Sequence, residues 1–288
     1  MKKIMVIAGL AMVSAFMAGC DDDDDILAVD TVPATPQGVF SVTGDEEIWV
    51  LFNGIYERDV DYYNVYRSFD PINDYVRIGS VDADSNHALD LVLYQYHDTG
   101  VNNGETYYYA VTAVDFAGQE SPLSAENVFD TPRPEGSLTL VANDKLPGGA
   151  GSGFSFSLGM AVPDTSSFAD IFIDRFEGVM YVNAGRPITD LQDMGFTSSF
   201  DDIGWAPEEG WSELGYAELI VGHTYVVWTA DENFAKFRVV AMSGTRESVE
   251  VRWAYQTVVG NPELSIPGLG VPLDAGVSPR TRTNVQER

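Results

Sequence analysis

Sulfur chemistry is nearly absent. The chain has one cysteine, Cys20, so no intrachain disulfide can staple it. Histidine is almost as scarce: His87, His97 and His223 lie far apart and lack the short helical or hairpin spacing of a zinc site, so they read as exposed or locally bonded. Positive charge is scarce as well. Lys and Arg total 16 against 44 Asp and Glu, a formal net charge of −28, which excludes a protein held to nucleic acid by counterion release. No apolar run beyond residue 20 is long enough to span a bilayer. No glycine loop for phosphate follows a strand pattern, and no dinucleotide fingerprint occurs. Gly149-Ala150-Gly151-Ser152-Gly153 lacks the glycine two positions before the serine that a nucleophile elbow requires. These absences point away from an enzyme.

What remains is a folded, turn-rich chain. Hydrophobic residues make up 45% of the 288 and aromatics 12%, with 27 Gly and 14 Pro, enough apolar surface for about two domains. Residues 1–19 begin with Lys2 and Lys3, continue through an apolar stretch and end on Ala18 and Gly19, the pattern of a secretory signal. Met17-Ala18-Gly19-Cys20 resembles the bacterial lipobox. That resemblance implies lipidation of Cys20, which becomes the new N-terminus and anchors the protein to a membrane. Asp21 to Asp25 follow at once, and residues 20–32 read as an acidic, solvated tether. Acidic residues in this place resemble surface-export signals in some bacterial lineages. In enteric bacteria, Asp next to the lipidated cysteine resembles an inner-membrane retention signal. The location expected is the bacterial cell envelope, at the outer membrane or cell surface.

Residues 33–132 alternate with a period of two. Ile48, Val50 and Phe52 share one face, as do Tyr63 and Val65, then Val76, Ile78 and Val81 across a break at Gly79, then Tyr107, Tyr109, Val111 and Ala113. Turn residues cluster between them at Asn53-Gly54 and at residues 68–74, 98–104 and 115–118. About seven strands in ~100 residues without a helical period predict a β-sandwich. Pro36-Gln37-Gly38-Val39, Tyr62-Tyr63-Asn64-Val65-Tyr66-Arg67, Asp98-Thr99-Gly100, the run from Gly104-Glu105-Thr106-Tyr107 to Val114, and Gly118-Gln119-Glu120-Ser121-Pro122-Leu123-Ser124 together resemble a fibronectin type III domain. The resemblance implies that Tyr107 is the tyrosine-corner residue, its ring in the core and its hydroxyl bonded to nearby backbone. It also puts Phe52 where the family more often has a core Trp. Trp49, out of phase with Ile48 and Val50, is expected on the outer face or under the neighbouring domain. No Arg-Gly-Asp triplet occurs, so integrin attachment does not carry over.

Residues 131–136, Thr-Pro-Arg-Pro-Glu-Gly, read as a short stiff connection to a second antiparallel β-domain over 133–259, sandwich or barrel-like. The whole chain is therefore all-β. Strands are expected within 153–162, where Phe154, Phe156 and Leu158 alternate, and within 169–176, where Ile171 and Ile173 oppose Phe172 and Asp174. Further strands are expected at 179–182 and 218–221, and 223–229, 235–242 and 248–255 read as a meander. Gly222-His223-Thr224-Tyr225-Val226-Val227-Trp228-Thr229, Phe234-Ala235-Lys236-Phe237-Arg238-Val239 and Trp253-Ala254-Tyr255-Gln256 resemble a C-terminal β-module of bacterial envelope lipoproteins, a resemblance that supplies no functional residues. Residues 189–211 show no clear period and read as a long loop or cap. Residues 260–288 read as a mostly disordered tail.

Trp205, Trp211 and Tyr216, with Phe200, fall in or just after that aperiodic stretch. Exposed, such rings stack on sugars or anchor a protein partner; buried, they close one end of the sheet core. Trp205, Trp211 and Tyr216 are the candidate ligand-binding residues. With 44 acids, a facing pair of carboxylates is no evidence of glycosidase chemistry. Asp201-Asp202, Asp231-Glu232-Asn233 and Asp82 with Asp84 match no full calcium loop; they leave open a weak Ca²⁺ site and no other cofactor. The reading is a non-enzymatic, lipid-anchored envelope protein presenting a β-domain to a glycan or a surface protein. An accessory or catalytic component of extracellular polysaccharide processing is the alternative, because type III domains often accompany such enzymes. A surface-layer or filament subunit is the third reading.

Overall fold

The computed structural model describes residues 31–83, 92–145 and 149–265. Cys20 and the tether as far as residue 30, His87, Asp84 and residues 266–288 lie outside them.

The period-two pattern of the first half becomes seven strands in two facing sheets. β1 (Gln37–Thr43), β2 (Ile48–Asn53) and β5 (Leu93–Asp98) form one sheet in the order β1-β2-β5. β3 (Val60–Ser68), β4 (Val76–Asp82), β6 (Tyr107–Asp115) and β7 (Val128–Asp130) form the other, in the order β4-β3-β6-β7. Every pairing is antiparallel, the arrangement that the fibronectin type III resemblance implies. Ile48, Val50, Phe52, Tyr63, Val65, Tyr109, Val111 and Ala113 are all fully buried in one core. Tyr107 joins them, and its Oη accepts a hydrogen bond from the Asn102 N–H at 3.0 Å, the tyrosine corner as expected. Trp49 turns outward and stacks on His97, with ring centroids 3.9 Å apart. β4 departs from the expected burial. Val76 is exposed and Ile78 half-buried, because β4 is an edge strand and a bulge breaks its register with β3 between Val65 and Tyr66.

The second half is a sandwich of two five-stranded sheets. β8 (Glu135–Val141), β13 (Asp190–Phe196), β15 (His223–Trp228), β16 (Phe234–Met242) and β17 (Ser248–Tyr255) pair in the order β13-β15-β16-β17-β8. β9 (Gly153–Ser155), β10 (Met160–Val162), β11 (Ile171–Phe176), β12 (Val179–Ala184) and β14 (Tyr216–Glu218) pair in the order β10-β9-β11-β12-β14. Phe154, Phe156, Ile171, Ile173, Met180 and Val182 face Leu140, Tyr225, Val227, Phe237, Val251 and Trp253 across a single core. Burying each such large side chain contributes about 2 kcal/mol. The meander β15-β16-β17 forms as its β-branched and aromatic content predicts.

Four expectations need correction. Residues 189–211 are not wholly irregular: β13 lies inside them, an edge strand that fully buries only Leu191 and bulges between Asp193 and Phe196, which breaks the alternation of Leu191 with Met194 and the exposed Phe196. Residues 153–162 are a hairpin rather than one strand, with Leu158 exposed in its turn. The strand expected at 218–221 ends at Glu218. Pro262 to Ser265, placed in the tail by composition, are packed: Ala206 donates to the Pro262 carbonyl, and Leu264 is fully buried.

The described residues from Val32 to Ser265 belong to one compact unit. The two sandwiches meet at Asp130, Thr131 and Arg133, all fully buried, with Arg133 N–H donating to the Gly44 carbonyl at 3.1 Å and Glu263 accepting from Thr131 N–H at 3.3 Å.

Candidate functional site

The three rings singled out in the sequence have different neighbours. Trp205 is half-buried at the junction, edge-on to Phe129 of the first sandwich at 6.5 Å, and its backbone bridges Glu263. Trp211 is half-buried and lies 6.1 Å from Trp228 and 6.4 Å from Phe234, around a small core of Ala206, Val226, Phe234 and Leu264. Phe200 is buried. Lys236 Nζ sits 4.4 Å from its ring centroid and Arg252 Cζ 4.5 Å from it. Tyr216 differs from all of these: it is 43% exposed on the outer face of β14.

The register of that sheet explains what surrounds Tyr216. Ile171, Ile173, Met180 and Val182 point into the core, so Phe172, Asp174, Tyr181 and Asn183 project from the opposite face. Tyr181 pairs with Asp174 on one side and Glu218 on the other, and Asn183 stands between Phe172 and Tyr216. The Tyr181 and Tyr216 rings meet edge to face at 5.8 Å and 86°. Asp174 Oδ1 and Asn183 Nδ2 are screened from solvent and have no hydrogen-bond partner among the described residues. The result is a sheet face bearing three aromatic rings, two carboxylates, Asp174 and Glu218, and one amide. Aromatic rings stack on the C–H faces of a sugar, and planar acid and amide groups bond its hydroxyls. Tyr216 alone was legible; its partners come from strands whose outward residues the sequence pattern presents only as the polar half of an alternation.

A second cluster lies at the junction. Lys236 is fully buried and donates to the carbonyls of Phe200 at 2.8 Å and Ile203 at 3.0 Å, with Asp201 Oδ1 at 3.8 Å. Burial, together with nearby Arg133 and Arg252, pushes its ammonium well below the usual lysine range, with Asp201 and Glu135 opposing. Asp130 accepts from Thr43 Oγ1 at 2.6 Å. Burial raises the carboxyl of Glu263 well above the usual range, and neighbouring Asp130 adds to the shift. Burial raises Asp130 as well, opposed by its hydrogen bond from Thr43 and by nearby Arg133. Arg133 is enclosed, 3.9 Å from Glu135. Asp130 Oδ2, Glu135 Oε2, Glu263 Oε2 and the three guanidinium nitrogens of Arg133 are screened from solvent without a hydrogen-bond partner among the described residues. Opposed charges are thus held together by burial and proximity with no solvent access for a substrate, and the cluster is read as structural rather than reacting.

The remaining candidates have local duties. Ser152 is buried and donates to the Gly149 carbonyl at 2.6 Å. His97 bonds Glu47 at 2.7 Å and His223 bonds Asp193 at 3.0 Å. Asp202 caps a one-turn 3₁₀ helix through Ser198 and Ser199, Asp201 accepts from Ser265, and Asp231 pairs with Arg186 at 2.7 Å. Among the described residues no group of three or more His, Cys, Asp or Glu is placed to hold a metal ion.

No protein-family description matches the chain. An amylopullulanase of Thermoanaerobacterium saccharolyticum is 28% identical over 147 residues, covering 49% of this chain and 10% of that protein. Another, from Thermoanaerobacterium thermosulfurigenes, is 25% identical over 175 residues, covering 59% and 8%. The chain thus spans a tenth or less of the length of these relatives. Among solved structures, a Fn3-like protein from Clostridium thermocellum is 30% identical, covering 34% of this chain and 92% of that one at a TM-score of 0.26. A DUF4466 family protein from Parabacteroides merdae is 12% identical, covering 79% and 96% at a TM-score of 0.40.

Proposed function

For a chain that carries a fibronectin type III-like β domain, we propose a non-catalytic role: a carbohydrate-associated binding module of the bacterial envelope, held to a membrane through lipidated Cys20. The observation that carries this reading is the outer face of β11, β12 and β14, where Tyr181, Tyr216 and Phe172 surround Asp174 and Asn183. The partial likeness to two amylopullulanases supports a polysaccharide ligand of the pullulan and amylose kind. It also favours an accessory place beside polysaccharide-processing enzymes. The lipobox-like Met17-Ala18-Gly19-Cys20 supports the anchor.

Affinity electrophoresis in gels containing pullulan or amylose tests the reading. The protein is expected to be retarded, and Tyr181→Ala with Tyr216→Ala to weaken binding about tenfold, the loss of two stacking contacts at ~0.7 kcal/mol each. Retention by neither polysaccharide would overturn it.

A further inference from the structure

The first sandwich carries a groove of its own on the outer face of the β4-β3-β6-β7 sheet. Two open depressions, of about 300 and about 530 Å³, share Tyr75 and Leu123 in their walls. The turn between β3 and β4 supplies Tyr75 and Ile72, the connection between β6 and β7 supplies Glu120, Leu123 and Glu126, and Thr112 of β6 lies at the floor. We propose that this groove binds an uncharged polysaccharide chain, as a second subsite of the carbohydrate-binding role above, on which it rests.

The carboxylates set the chemistry. Glu120 Oε1 accepts three hydrogen bonds, from Thr112 Oγ1 at 2.6 Å, Tyr66 Oη at 2.7 Å and Asn64 Nδ2 at 2.8 Å. Partial burial opposes ionisation, but these bonds and nearby Arg77 hold the carboxyl below the usual range. Glu120 is therefore a fixed, charged acceptor whose other oxygen makes no bond within this network. Glu126 Oε1 accepts from Gly38 N–H at 2.6 Å, while its Oε2 is screened from solvent without a partner among the described residues. Two oriented acceptors call for a ligand rich in donors, and sugar hydroxyls are such donors. The walls between them are apolar: Ile72 is 79% exposed, Leu123 is 39% exposed, and the Tyr75 ring is half-buried beside them. These surfaces suit the C–H faces of pyranose rings. A chain of net charge −28 with two carboxylates in the groove repels an anionic polymer; of the donor-rich ligands left, an uncharged polysaccharide matches the apolar walls, and a cationic ligand is the alternative that a lysine-rich peptide reads.

Calorimetric titration of the full-length chain with maltoheptaose tests the assignment, with a lysine-rich peptide as a parallel arm. Two sugars bound per chain are expected. Tyr75→Ala, whose side chain makes only a 3.3 Å bond to the Pro71 carbonyl, should lower this to one with an unchanged melting temperature. Glu120→Gln should weaken the groove's binding severalfold. Wild-type stoichiometry and affinity in a folded Tyr75→Ala chain would overturn the groove while leaving the sheet-face reading intact. Binding of the peptide alone would also overturn it. Failure of the wild-type chain to bind maltoheptaose would overturn both.

Discussion

Tyr107 and Tyr225, one in each sandwich, accept a hydrogen bond from the N–H of the residue five positions earlier: Asn102 at 3.0 Å and Ile220 at 2.9 Å. Both rings are buried. Each tyrosine follows a left-handed glycine, Gly104 at φ +82° or Gly222 at φ +87°, so both sandwiches start a central strand from the same Gly-x-Thr-Tyr unit. At Gly222 a side chain is excluded twice over, since a Cβ would also meet the Phe196 ring at 2.7 Å. Removing either hydroxyl leaves a turn N–H without its acceptor. Tyr107→Phe and Tyr225→Phe are each expected to lower stability by about 1–2 kcal/mol in urea unfolding. Each hydroxyl also donates, Tyr107 to Glu105 Oε2 at 2.6 Å and Tyr225 to the Glu218 carbonyl at 2.7 Å at the end of β14, so each variant loses two bonds and the two costs should be similar.

Glu263 gives a pH signature. Its folded-state carboxyl is raised well above the ordinary value by burial and by Asp130. Its contribution to stability is therefore complete below the unfolded value, near 4.5, and is lost as pH rises through the folded one. Glu263→Gln keeps the shape and a donor toward Asp130 but does not ionise. The variant is expected to match the wild type below pH ~4.5 and to exceed it at neutral pH by on the order of 1 kcal/mol. Melting temperatures measured across pH 4 to 8 decide it; a wild type more stable than the variant at neutral pH would contradict the assignment.

Lys236 carries the opposite sign. With its folded value depressed by burial, its contribution is present above the unfolded lysine value, near 10.5, and is lost as pH falls through the folded one. Lys236→Met removes the charge at similar volume but leaves the carbonyls of Phe200 and Ile203 without their donor. The difference in stability between wild type and variant should therefore widen toward alkaline pH. Lys236→Ala, which adds a cavity, should cost about 3 kcal/mol. Chemical unfolding at pH 7 and 10 measures both.

If Cys20 is lipidated as proposed, Cys20→Ser is expected to move the protein from the detergent phase to the aqueous phase in a detergent-partition experiment, since acyl chains supply the anchor. Partition of the wild type into the aqueous phase would remove the anchor from the proposal.

The first sandwich was legible because its strands bury one face each: Ile48, Val50 and Phe52 alternate as plainly in sequence as in the core. The late meander was legible for the same reason. β13 was hidden because it is an edge strand whose bulge throws Leu191 and Met194, the residues that pack, out of a period of two. The candidate face was hidden differently. Tyr181 and Tyr216 lie on different strands, and only the pairing of β12 with β14 brings them together. Trp205 and Trp211 gave the strongest aromatic signal, yet both rings are half-buried, one at the junction and the other beside a small core. Ring content alone does not separate a stacking platform from the end of a core. The repeated Gly-x-Thr-Tyr unit stood in plain view at residues 104–107 and 222–225.

The junction described at Asp130, Thr131 and Arg133 has a mechanical meaning. Pulling on the second sandwich loads the first through side chains sealed from water and through Glu263, which returns from beyond β17 to meet Thr131. Turning one sandwich against the other would have to break the Arg133–Gly44 and Thr131–Glu263 bonds and carry sealed charges into water.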